Sequence, residues 1–288
     1  VDDMEQLTDE LEGFGSYGSE DGQFVWPVSM INGPDGDLFI SDEWNHRITR
    51  LNQKGEFVSK FGVQGDGDGE FDGPSGFAFD PDGNIVVTDS KNHRIQRYSL
   101  DGKYLGGFGT FGSGEGEFNL PWGLDVDENG DIYVVDWGNH RVQVFDTDGN
   151  FKNSFGEHGN GEGQFERPTG VTVDAHGDVY VSDWGNNRVL QFNAEGQYIW
   201  SFNGDATLSK VARNYMLTNA VSNRLRETGR LEHERYLRRP RSVRIDSEFR
   251  LFIPDYESYR IQVYQKDFIE LDETQYSAPL RNPTLEVT

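Results

Sequence analysis

Four Asn-x-Arg triplets, Asn45–Arg47, Asn92–Arg94, Asn139–Arg141 and Asn186–Arg188, carry the most regular chemistry of this 288-residue chain. Each arginine follows an aspartate by five residues: Asp42 precedes Arg47, Asp89 Arg94, Asp136 Arg141 and Asp183 Arg188. Asp255 and Arg260 form a fifth pair around a weaker Ser-Tyr-Arg triplet. Five residues across a short turn bring the two groups together, and an arginine fork matches a carboxylate bidentately. Catalytic groups break symmetry and scaffolding groups repeat, so these pairs are expected to be structural. The same holds for His46, His93 and His140, which share one repeat position. Of the remaining histidines, His158 and His176 read as loop and turn residues, and His233 alone stands where it could reach a site.

Asp80-Pro-Asp-Gly-Asn84, Asp127-Glu-Asn-Gly-Asp131 and Asp146-Thr-Asp-Gly-Asn150 look like fragments of calcium loops. They lack the distal bidentate glutamate that such loops need, and read as hairpin turns. The chain has no cysteine, which excludes disulfides and thiolate metal sites. It shows no zinc-helix motif, nucleophile elbow or phosphate loop. No catalytic set and no cofactor are predicted, with Ca or Zn as the alternative.

The elements that position these residues are set by a repeat. The triplets recur every 47 residues, and residues 72–118 match 119–165 in length. Within the latter copy, Gly123–Asp127, Ile132–Asp136, Arg141–Asp146 and Phe151–Phe155 alternate apolar and polar residues at strand period. Asp-Gly and Asn-Gly turns separate them, so each copy predicts a four-stranded antiparallel meander. One meander cannot bury both faces; a radial array of them can. Prolines 27, 74, 121, 168, 240 and 283 each open a candidate inner strand. Six starts predict six blades: five complete, and a sixth assembled from Pro283–Thr288 as inner strand and Glu10–Gly15 as outer strand. The sequence then begins inside a blade, with Val1 in place of Met, which suggests a processed or truncated N-terminus. The acidic glycine-rich segments 15–24, 62–71, 109–118 and 156–165 read as blade-to-blade crossovers, each ending in a phenylalanine.

The recurring Pro-x-Gly-x-x-x-Asp, Asp-Gly-Asn-x-x-Val-x-Asp and Asn-His-Arg-(Ile/Val)-Gln closely resemble the NHL repeat, over nearly everything except residues 205–238. The fifth copy departs from it at Pro254–Arg260. The resemblance implies an all-β, six-bladed propeller and far less about activity. Some NHL propellers bind RNA through basic faces. Others end tripartite-motif ubiquitin ligases, whose activity lies in a separate zinc domain with no counterpart here. Propeller lyases of the peptidyl-hydroxyglycine and streptogramin groups hold a metal at the channel with His, Arg or Tyr.

A net charge of −24 counts against nucleic acid as a partner. No apolar run is long enough to span a membrane, so no membrane insertion is expected. The whole chain, 1–288, reads as a single soluble domain, cytoplasmic or exported after loss of a leader. Residues 205–238 interrupt it between blades four and five. Leu208, Val211, Ala212, Tyr215, Met216 and Ala220 share one helical face, and a second helix is predicted from Asn223 to Leu237. From Thr207 to Arg244 there are ten Lys or Arg, including Arg224 and Arg226, against three acids. This basic helical insertion either docks on the acidic rim of the propeller itself or helps to bind a partner.

Symmetry also fails at the residue after each strand-opening proline: Val28, Ser75, Trp122, Thr169 and Arg241. These should ring the channel mouth, with Trp26, Arg167 and Arg239 beside them and Asp125, Thr172 and Arg244 further along. An aromatic and several arginines at a concave mouth suit a small anionic or planar ligand, a protein or a peptide. The expected function is a non-enzymatic binding scaffold with its partner on the face of the insertion. The alternative is a propeller lyase or hydrolase with a metal at the channel mouth.

Overall fold

Strand ends in this chain are made by short acidic turns. Asp80 shows how: its Oδ1 accepts the backbone N–H groups of Asp82 and Asn84, at 3.1 and 2.8 Å. Gly83 closes the turn at a φ of +80°, a conformation open to glycine and costly for most other residues. The carboxylate of the calcium-like motif is therefore engaged by its own hairpin.

In a computed structural model that describes residues 13–204 and 235–266, such turns join five antiparallel sheets. Four have four strands, with inner strands Pro27–Asn32, Pro74–Phe79, Pro121–Val126 and Pro168–Val173. Outer strands run Phe57–Phe61, Tyr104–Phe108, Phe151–Phe155 and Tyr198–Phe202. The fifth sheet has three described strands, Arg244–Ile245, Arg250–Asp255 and Arg260–Gln265. Its inner strand is short and starts four residues after Pro240 rather than at it. The fold is an all-β propeller. Among the described residues the only helical segments are 3-10 turns of three residues. Residues 235–238, the end of the basic insertion predicted as helical over 205–238, are not in a helix, and its residues 205–234 lie outside the described residues. So do most of the predicted sixth blade's strands, and residues 13–15 of its outer strand are not in a strand.

Adjacent sheets share a core. Phe39 and Ile48 of the first pack with Phe77 and Ile85 of the second. Val142 of the third packs with Val171 and Val181 of the fourth, and Val189 of the fourth with Leu251 and Ile253 of the fifth. Phe71, Phe118 and Phe165, which end the crossovers, are fully buried. Ile48, Ile95, Val142 and Val189 occupy one repeat position and are at most 1% exposed. Their counterpart Ile261 is 63% exposed, so the described residues leave the outer face of the fifth blade uncovered.

The predicted Asp–Arg pairs have a different geometry from a bidentate fork. Asp136, fully buried, accepts Arg141 Nε, Asn139 Nδ2 and Gln143 Nε2 on Oδ2 and the Asn119 N–H on Oδ1. The rest of the Arg141 guanidinium donates to the carbonyls of Gly114 and Glu117 in the crossover. The same Nε–Oδ2 contact joins Asp89 to Arg94, Asp183 to Arg188 and Asp255 to Arg260 at 2.8–2.9 Å, although Leu190 replaces the glutamine beside Asp183 and Ser258 the asparagine beside Asp255. Asp42 and Arg47 form no ion pair: Asp42 is taken by Asn45 and by the Val25 and Trp26 N–H groups, and Arg47 Nε has no partner. Burial pushes the Asp89, Asp136 and Asp183 carboxyls up, against the pull of these donors.

The Pro-x-Gly glycine sets how closely blades approach the axis. A Cβ on Gly123 would lie 2.4 Å from Thr169 O and 2.8 Å from Gly170 Cα, all backbone. Gly123→Ala is expected to destabilise the fold by about 1–3 kcal/mol, the usual range for overpacking. Urea unfolding followed by far-UV circular dichroism checks this; an unchanged midpoint would mean that the blades can part.

Candidate functional site

Three positions per repeat surround the opening of the channel: the residue before the strand-opening proline, the one after it, and the one after the buried Asp. The last of these reads Glu43, Ser90, Trp137, Trp184, Tyr256 around the array. Where the side chains are small they seal blades together. Ser75 Oγ, fully buried, lies 2.8 Å from Thr88 Oγ1 and 2.7 Å from Ser90 Oγ, and donates to Trp122 O at 3.0 Å. Where they are large they frame a cavity of about 270 Å³ lined by Trp26, Glu43, Trp122, Trp137, Trp184 and Arg241, with Thr169 at its side. Below it lies a second cavity of about 180 Å³, which shares Trp122, Thr169 and Arg241 and includes Arg244.

The structure thus brings together Trp26, Trp122, Thr169 and Arg241 from the sequence-derived set. Trp137 and Trp184 were not in it. Both sit in the Asp-Trp-Gly-Asn turn, whose repeating Asp and Asn mark it as scaffold. The residue between them does not repeat, and that was the available signal.

The other arginines are engaged. Arg167 lies over the Trp137 ring at 5.0 Å and near Glu166 at 3.8 Å. Arg239 lies over Trp184 at 4.9 Å and pairs with Glu257 at 3.1 Å. Arg244 crosses the channel to Asp125 at 3.2 Å, and Asp125 also accepts Thr172 Oγ1 and the Val173 N–H. Arg241 stacks on Tyr256 at 4.1 Å and has no carboxylate partner among the described residues. Arg224, Arg226 and His233 lie outside the described residues. The flanks of their segment meet where Leu237 N donates to Asn203 O at 2.8 Å. They line an open 880 Å³ pocket that includes Arg239, beside the mouth.

The repeat-position histidines act between blades. His46, His93 and His140 adopt left-handed backbone conformations, and each Nδ1 accepts an N–H from the next blade: Gly73, Leu120 and Arg167, at 3.3, 3.1 and 3.1 Å. Asn187 Oδ1 takes this place for Arg239 N at 2.9 Å. His176 stacks flat on Phe249. His140, His158 and Glu166 bring potential ligand atoms within 4.8 Å of one another, and His158 Nε2 lies 2.6 Å from Glu166 Oε2. A neutral ring that accepts at Nδ1 carries its proton on Nε2. His140 therefore has no free lone pair for an ion while it holds the Arg167 N–H.

A family model described as a 6-bladed beta-propeller, DUF5128, matches residues 124–273, more than half of the chain. The chain belongs to the DUF5128 family. An NHL repeat matches residues 71–98. No curated protein sequence matches the chain. Among solved structures, this DUF5128 propeller is similar to a streptogramin B lyase at 13% identity and TM-score 0.56, covering 85% of this chain and 65% of that one. It is similar to a catalytically inactive virginiamycin B lyase from Staphylococcus aureus with quinupristin, at 14% identity and TM-score 0.56, covering 87% and 71%. A chain of a nidogen/laminin complex matches at 19% identity and TM-score 0.57, covering 83% and 75%. At these identities the likeness is one of fold. The chain spans less than two thirds of the streptogramin B lyase chain. No helix among the described residues is long and apolar enough to cross a membrane.

Burial holds the His93 and His140 rings below the usual histidine value. A ring with a depressed folded-state value gives stability that is full above the unfolded value of about 6.5 and is lost as pH falls through the folded value. The double variant His93→Asn/His140→Asn keeps an acceptor, as Asn187 does. It is expected to lose less stability than the unaltered chain between about pH 7.5 and 5, measured by urea unfolding. Parallel pH profiles would show that the rings do not titrate in this way.

Proposed function

We propose that this DUF5128 chain is a non-enzymatic binding propeller, and that its partner, a small ligand, a peptide or a protein, engages the tryptophan-lined mouth. The observation that carries this reading is the convergence of Trp26, Trp122, Trp137 and Trp184, from three different repeat copies, with Arg241 on one cavity. A scaffold needs no such asymmetry, since serines close the equivalent positions of the second blade. Large apolar rings around a few polar groups are the usual make-up of a ligand pocket. The partner face is the one from which residues 205–238 depart, because their flanks reach Arg239, which stacks on Trp184. No cofactor is invoked. The lyase reading has less support: no histidine lines the mouth among the described residues, and His46, His93 and His140 are spent on holding blades together.

The test labels the chain with 5-fluorotryptophan and screens a fragment library by fluorine NMR. Hits are expected to shift the four mouth resonances and leave that of Trp200, exposed on an outer strand, unmoved. Hits that never move the mouth resonances would sink the reading.

The propeller is further proposed to have six blades, the sixth built from residues 283–288 and 10–15. The family description and the uncovered Ile261 support this. Deleting residues 267–288 is expected to lower the thermal midpoint by several degrees, as loss of a few kcal/mol does. An unchanged midpoint would remove that strand from the fold.

A further inference from the structure

The charges around the mouth do not cancel evenly. Glu43 is the one carboxylate among the described residues that line the cavity, and Lys91 Nζ lies 3.2 Å from it. Arg241 is the one cation there, and no described carboxylate answers it. The cations next to the opening, Arg167 and Arg239, already stack on Trp137 and Trp184. A cationic guest seeking those electron-rich faces would meet two guanidinium groups. An anionic guest would meet an open guanidinium fork, which pairs with a carboxylate through two charge-assisted hydrogen bonds.

Size narrows the guest further. A volume of about 270 Å³ is at the lower end of small-molecule sites, which run from about 300 Å³ upward. It takes one mono- or bicyclic ring system, and is too small for an oligosaccharide or a folded peptide segment. Indole walls favour a flat ring, which gains offset or edge-on contacts beyond simple burial. The net charge of −24 opposes an anion at a distance. That repulsion is screened beyond about 8 Å at physiological salt, whereas the contact with Arg241 is local.

We propose that the mouth binds a planar aromatic carboxylate, with its ring among Trp26, Trp122, Trp137 and Trp184 and its carboxylate on Arg241. This deepens the binding reading above and rests on it.

The experiment compares three probes of one ring system, indole-3-acetate, 3-methylindole and tryptamine, by fluorine NMR of the labelled full chain and by calorimetry. Indole-3-acetate is expected to saturate the mouth resonances and to bind at least tenfold more tightly than either analogue. Arg241→Met is expected to weaken it about tenfold with little change for 3-methylindole. Arg241→Lys, which keeps the charge without the fork, should fall between. Arg241 is exposed, so these variants should fold, and thermal midpoints check that they do. Tryptamine binding as tightly as indole-3-acetate, or indole-3-acetate indifferent to Arg241→Met, overturns the carboxylate and leaves the aromatic mouth standing. Failure of all three probes to move the mouth resonances overturns the proposal and the small-ligand form of the binding reading together.

Discussion

A carboxylate removed from water must be given several donors or it will not stay ionised there. Asp136 and its equivalents meet this demand with groups from three places: their own turn, their own third strand, and the crossover that precedes the blade. The consequence is geometric. Satisfying one buried charge fixes the turn that follows the second strand, and with it the side chain next in sequence, which faces the channel opening. Trp137 and Trp184 are held in place because Asp136 and Asp183 are saturated. The site is built on the least negotiable part of each repeat.

The blade-to-blade joints follow the same economy. A left-handed residue before four of the strand-opening prolines, Gly73, Leu120, Arg167 or Arg239, turns its N–H toward the preceding blade, where a histidine or an asparagine accepts it. One donor and one acceptor then relate the rims of neighbouring blades. Side chains on the two sides of the joint are brought to stacking distance, as Arg167 is to Trp137 and Arg239 to Trp184. The arginines that looked available to a ligand are partly consumed by this packing, and Arg244 by Asp125. What is left uncompensated at the mouth is narrower and more specific than the +7 segment suggested.

The propeller was legible because its signals repeat: alternation marks strands, Asp-Gly marks turns, and a 47-residue step multiplies both. The mouth was half legible. Trp122 and Thr169 lie on inner strands and Arg241 directly follows Pro240, so their positions follow from the strand-opening proline. Trp137 and Trp184 lie on a turn whose flanking residues are invariant, and the invariance hid them. The first blade could not be anticipated either. It keeps Asp42 and Arg47 in register yet lacks their ion pair, and Thr49 replaces the glutamine that assists Asp136. In the fifth blade the short inner strand after Pro240 shows that a proline marks where a strand is permitted, and hydrogen-bonded neighbours decide where it begins.

Each crossover is hydrogen-bonded to the blade it enters, through the guanidinium of that blade's third strand, and meets the blade it leaves through ring packing, as Phe111 does on His93 and Phe118 on Phe108. The unit that holds together is therefore out of phase with the unit that sequence comparison would cut out. A fragment excised from one strand-opening proline to the next would part Arg141 from the carbonyls of Gly114 and Glu117. A fragment beginning at the preceding glycine-rich loop would carry its own fastening. Modular recombination of such propellers has its natural seams at the start of those loops, immediately after the outer strands.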